Sequence, residues 1–203
     1  GSIYLMIIKE SFADCSMCDL LNSKSSIAES NCKRLEDVDV VFIVESPSKD
    51  DITSEPPKIL SSDYGQVFKK YFELYNLSKC NYLITHMVLC NSTKQLNEET
   101  IDRCKINCFK LIDKCKPKLI VLLGSNPAKG FGLMPENTNI ASIRGKIFKW
   151  KNIDTFITYH PVYVFKTKSN AENIFKKDME FIANRLNIST GKNNYEKNVD
   201  VQK

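Results

Sequence analysis

The sequence predicts an α/β fold, a three-layer α/β/α sandwich around a central four-stranded parallel sheet. Two observations lead there. Four short runs rich in β-branched and aromatic residues recur along the chain, and segments of helical period separate them. A third observation places a site in that fold. The chain has two histidines, His86 and His160, and each closes one of the four runs. Ligands of open α/β sheets bind just beyond the carboxyl ends of the strands, so both imidazoles fall where a site is expected.

Taken in order, residues 3–8 are apolar, but the run is too short for a signal segment or a membrane span. The protein is therefore expected to be cytoplasmic, without a membrane partner, and monomeric. Strands are expected over residues 38–44, 82–89, 118–123 and 155–159. Helices are expected over 66–76 and 98–115, with a shorter one opening at Pro127 and capped by Ser125 or Asn126. A last helix over 171–186 sets Ile174, Met179, Phe181, Ile182 and Leu186 on roughly one face. Residues 1–187 read as a single domain without internal repeats, and 188–203 as a flexible polar tail.

A chain of 203 residues can bury one full core. Its net charge of +5 fits a polyanionic partner without requiring one. Eight cysteines in a reducing compartment read as metal ligands or core thiols rather than disulfides. Cys15 and Cys18 form a closely spaced pair; Cys90 and Cys104 supply a second. Four thiolates from two separated pairs suit a tetrahedral zinc or a [4Fe–4S] cluster. Cys32, Cys80, Cys108 and Cys115 show no such pairing, and Cys108 and Cys115 fit helix-borne core thiols.

Several segments carry chemistry. Glu45 follows the first strand in Val44-Glu-Ser-Pro-Ser-Lys-Asp-Asp51, where a carboxylate can orient or deprotonate water, whereas Asp50 reads as a solvated loop acid. Gly124-Ser125-Asn126 opens a helix and offers backbone N–H groups to a phosphate. Arg144-Gly145-Lys146 sets two cations around a glycine. Beyond His160-Pro161, the run Val162-Tyr163-Val164-Phe165 with Lys166 and Lys168 reads either as a wedge that parts bases or as a strand extension into the core.

In their order, these pieces resemble the family 4 uracil-DNA glycosylases, the iron–sulfur branch of the uracil-DNA glycosylase superfamily. The resemblance runs from about Cys15 to Asn184. Cys15/Cys18 with Leu20 is similar to the family's first cluster half. Val44-Glu-Ser-Pro-Ser stands where the family has Gly-Glu-(Ala/Gly)-Pro-Gly, with Asp51 at a second acidic position. Tyr64-Gly65-Gln66 is similar to the opening of the family's first helix. Residues 83–90 end in its third cysteine, Cys104 is its fourth, and residues 117–124 resemble its third strand. Arg144-Gly145 and His160-Pro161 complete the set.

The resemblance implies a [4Fe–4S] cluster on Cys15, Cys18, Cys90 and Cys104. It implies catalytic roles for Glu45 and Asp51, beside the water and sugar, and for His160, against charge on the departing base. Val44, Ser46, Leu60, Tyr64 and His86 would form the base pocket. Pro47, Ser125, Asn126, Arg144, Lys146, Val162, Tyr163 and Lys166 would face DNA. The target nucleotide would have to leave the stack first, since its glycosidic bond is out of reach inside a duplex.

The departures all surround the base. His86 stands where the family reads uracil with an asparagine, and one imidazole edge cannot copy an amide's adjacent donor and acceptor. Leu60 replaces a stacking aromatic, and Val44 and Ser48 replace glycines. The expected activity is hydrolysis of the N-glycosidic bond of uracil or, in preference, a modified pyrimidine in DNA, leaving an abasic site in repair or in defence against modified foreign DNA. The competing expectations are a catalytically weak DNA-binding module that senses a flipped base, and a zinc-stabilised nucleotide-binding protein.

Overall fold

The computed structural model describes residues 15–16, 18–20 and 27–188. The expectations for residues 3–8 and for the tail beyond 188 fall outside them. Six strands form one mixed sheet: β1 (Glu29–Ser30), β2 (Val40–Val44), β3 (Tyr82–His86), β4 (Leu119–Leu123), β5 (Ile147–Trp150) and β6 (Ile153–Thr158), in the order β1-β3-β2-β4-β6-β5. The expected parallel core is present as β3-β2-β4-β6. Each of β2, β3 and β4 is buried throughout, as strands covered on both faces must be.

Two antiparallel edges enlarge the four-stranded sheet that the sequence predicts. β1 pairs with β3, and β5 with β6. β1 is too short to carry a period. β5 escapes notice because its hairpin turn, Lys151-Asn152, lacks glycine, although both residues adopt the left-handed conformation such turns need (φ 45° and 66°).

Helices cover both faces: α1 (Lys49–Thr53), α2 (Asp63–Leu74), α3 (Glu98–Cys115), α4 (Ser125–Gly130), α5 (Ile140–Ile143), α6 (Pro161–Thr167) and α7 (Ser169–Arg185). Alternation along β2 and β4 sorts the core. Val40, Phe42, Val44, Leu119, Val121 and Leu123 join Phe68, Phe72, Phe175 and Met179 of α2 and α7. Val41, Ile43, Ile120 and Leu122 join Ile101, Cys108 and Ile112 of α3. Helix α2 begins three residues before the expected Gln66, because the Ser62 hydroxyl caps it by accepting from Gly65 N at 3.3 Å. Helix α4 is capped by Gly124, not by Ser125 or Asn126, and neither side chain closes its first turn. The run after His160 is helix α6, not a strand extension. Among the described residues, no helix is long and apolar enough to cross a membrane.

Candidate active site

The carboxyl edge of the parallel strands gathers the turns that follow β2, β3, β4 and β6. Glu45 leaves β2 with its carbonyl accepting from Val88 N at 2.9 Å, which ties the turns after β2 and β3 together. Burial raises the Glu45 carboxyl above its ordinary range, while a side-chain hydrogen bond from Asn126 favours the charged form. Asn126 was expected on DNA; here its amide holds the carboxylate. Pro47 is buried, and its carbonyl accepts from Asn91 Nδ2 at 2.7 Å. Ser46 and Ser125 are half-buried beside these groups.

Asp51 is fully engaged by the backbone around it. One oxygen accepts from Ser48 N at 3.0 Å in a capping box that starts α1; the other accepts from Ser61 N at 2.8 Å and Ser61 Oγ at 3.0 Å. Its geometry is that of a bracket that holds the loop to Leu60. Leu60 is buried in the core with a left-handed backbone (φ 55°), and Gly65 packs on it so closely that a Cβ there would lie 2.2 Å from Leu60 O.

His160 is the N-cap of α6, and its Nδ1 accepts from Val162 N at 3.1 Å. That nitrogen therefore carries a lone pair, and the proton of the neutral ring sits on Nε2. Burial, with His86 as a lesser cause, pulls the imidazole down to about 4, so it is neutral at physiological pH. Gly124 makes room for it: a Cβ there would lie 2.9 Å from His160 Cβ, and its φ of 104° suits glycine. The Tyr64 ring centre lies 6.0 Å from that of His160.

His86 ends β3 opposite Val44 and is fully buried. Its Nδ1 lies 3.3 Å from the carbonyl of Ile27, while its Nε2 has no hydrogen-bond partner among the described residues. Burial pulls it to about 4 against the opposing charge of Asp51.

Cys104 Sγ accepts from Leu89 N at 3.5 Å and Asn107 Nδ2 at 3.6 Å, which brings it beside the turn that carries Cys90. Burial raises this thiol, and the charges of Cys15 and Cys18 are close enough to act on it. No three His, Cys, Asp or Glu side chains among the described residues stand in a metal-holding arrangement. Cys32, Cys108 and Cys115 are buried, and Cys80 donates to Leu77 O at 2.8 Å; burial pushes the Cys80 and Cys115 thiols up to about 12.

The expected DNA face divides. Tyr163 and Phe165 are 44% and 42% exposed on α6, Lys166 is exposed, and Val162 is half-buried. Lys146 is exposed with Nζ on Ser142 O at 2.8 Å. Arg144 instead forks onto buried Asp178, Nε to Oδ2 at 3.1 Å and Nη2 to Oδ1, while Thr158 Oγ1 donates to the same carboxylate at 2.6 Å. The guanidinium thus pins the turn before β5 to α7. Arg144→Ala is expected to lower the unfolding free energy by about 2–4 kcal/mol, because it strands a buried charge. Denaturant melts check this, and a variant that melts like wild type but loses DNA affinity would return Arg144 to the DNA face.

Residues 33–185 match the uracil DNA glycosylase superfamily. The chain belongs to that superfamily. Membership suggests DNA glycosylase activity and, with it, DNA as the partner. The superfamily match spans Glu45, His86, Cys90, Cys104 and His160, while Cys15 and Cys18 precede it. No curated protein matches the chain significantly.

Proposed function

We propose that the protein is a DNA glycosylase that hydrolyses the N-glycosidic bond of a flipped-out uracil or, in preference, a modified pyrimidine, leaving an abasic site in repair or in defence against modified foreign DNA. The observation that carries this reading is the pairing of unlike groups at one sheet edge. Glu45 is a half-buried carboxyl that burial raises above its ordinary range, with a hydrogen bond from Asn126 that favours its charged form, and His160 is a neutral imidazole whose N–H is on Nε2. Glu45 would take a proton from water as the water oxygen bonds to C1′. The C1′–N1 bond breaks, its electrons pass to the base, and His160 Nε2–H would donate to the base oxygen that gains charge. A neutral donor suits that task, since it binds a developing anion without first losing its own proton. Asp51 would support the site by holding its loop. Exposed Tyr163, Phe165 and Lys166 on α6 would meet the duplex.

Alkali-labile cleavage of end-labelled oligonucleotides, each with one candidate base, tests the activity. Strand scission at one substituted position is expected. Binding without scission for every base would favour the sensor reading.

A [4Fe–4S] cluster on Cys15, Cys18, Cys90 and Cys104 is part of the proposal. The four-thiol donor set and the two N–H groups directed at Cys104 Sγ support it, as such contacts suit a ligating thiolate. The group would staple the N-terminal segment to the turn after β3. Anaerobically purified protein is expected to be brown and to contain iron. Cys104→Ala should lose that iron and Cys108→Ala keep it; stoichiometric zinc without iron would refute the cluster.

A further inference from the structure

We propose that His86 turns the base pocket into a reader of hydrogen-bond donors, which selects a 4-aminopyrimidine of the cytosine class over uracil. This rests on the glycosylase reading above and narrows its substrate. The carbonyl of Ile27 can only accept, and it lies 3.3 Å from His86 Nδ1, so that nitrogen carries the ring's one proton. Nε2 is then a bare lone pair.

Nothing among the described residues satisfies it. His86 has no exposed surface, and Nε2 finds no donor. Asp51 is near enough for its charge to act on the ring, yet both its oxygens are engaged and neither can donate. Buried polar atoms are seldom left unpaired, and one at the carboxyl edge of the sheet, opposite Val44, is poised for a ligand's N–H. His160, near enough to His86 for the two rings to influence each other, has the opposite polarity: its Nδ1 is held by Val162 N, which leaves the proton on Nε2 to donate. Of these two neighbouring imidazoles, one thus offers an acceptor and the other a donor.

An exocyclic amino group meets a single in-plane acceptor well. It projects beyond the ring edge and keeps a second hydrogen for another partner. The 4-oxo group of uracil projects from the same place with lone pairs, and these would oppose that of Nε2. An amide side chain would supply a donor for the oxo group; this imidazole cannot.

The test separates recognition from chemistry. Equilibrium binding would be measured for oligonucleotides carrying one non-cleavable 2′-fluoro nucleotide with cytosine, 5-methylcytosine, 5-hydroxymethylcytosine, uracil or 4-unsubstituted 2-pyrimidinone. At least one 4-amino base is expected to bind about tenfold or more tightly than uracil and 2-pyrimidinone, because the wrong edge leaves a buried acceptor unpaired. His86→Asn should shift the preference toward uracil. Ring-nitrogen NMR of histidine-labelled wild type, which needs no variant, should find His86 protonated on Nδ1. Protonation on Nε2, equal binding of uracil and every 4-amino base, or an unchanged preference in folded His86→Asn would overturn the proposal. Base release separates the two claims. A 4-amino preference with no base released would leave this inference standing and sink the hydrolase reading, whereas efficient uracil release with uracil bound best would do the reverse.

Discussion

His160→Ala is expected to slow single-turnover base release by about two to three orders of magnitude, the usual cost of removing one positioned donor to a developing negative charge. DNA affinity should change little, because that charge exists only as the bond breaks. The histidine also caps α6 through Val162 N, and losing a cap costs about 1 kcal/mol of stability. His160→Asn separates the two roles: asparagine is a good N-cap but cannot reproduce an imidazole Nε2–H. The expected result is a slow enzyme in both variants, with normal thermal stability in the asparagine one. A fast His160→Asn enzyme would mean that the imidazole serves only to cap the helix.

Glu45→Gln should cost about two to four orders of magnitude in the same step, since the isosteric amide keeps its place beside Asn126 but cannot accept a proton. The pH profile supplies an independent reading. Burial raises the Glu45 carboxyl, so the rate should climb with pH through a limb lying above the ordinary carboxylate range, then level off as the carboxylate form fills. His160, pulled down to about 4, is neutral across the plateau and adds no limb near neutrality. In Glu45→Gln the acid limb should vanish. Its persistence would assign the titration to another group.

The parallel core was legible because strands buried on both faces must be continuously apolar, as β2 and β4 are. The placement of both histidines at the carboxyl edge of the sheet was legible because each closes an apolar run that forms a parallel strand. What escaped was pairing. Asp51 and Arg144 look like available charges in sequence, yet one closes a capping box and the other neutralises Asp178, which lies far along the chain. Asn126 reads as a loop amide and becomes the partner of Glu45 only when the turns after β2 and β4 come together. The tautomer of His86 depends on the carbonyl of Ile27, in a segment to which no sequence pattern drew attention. The edge strand β5 stayed hidden because lysine and asparagine, not glycine, fill its turn.

The central claim is that Glu45 and His160 together cleave a glycosidic bond, and mass spectrometry of single-turnover products tests it most directly. Oligonucleotides carrying one uracil, cytosine or modified pyrimidine would be incubated with wild type, Glu45→Gln and His160→Ala. The account predicts a free base and an otherwise intact strand bearing an abasic site from the wild type, and neither from the two variants on the same timescale. Unchanged strands bound by all three proteins, or equal base release from all three, would contradict it.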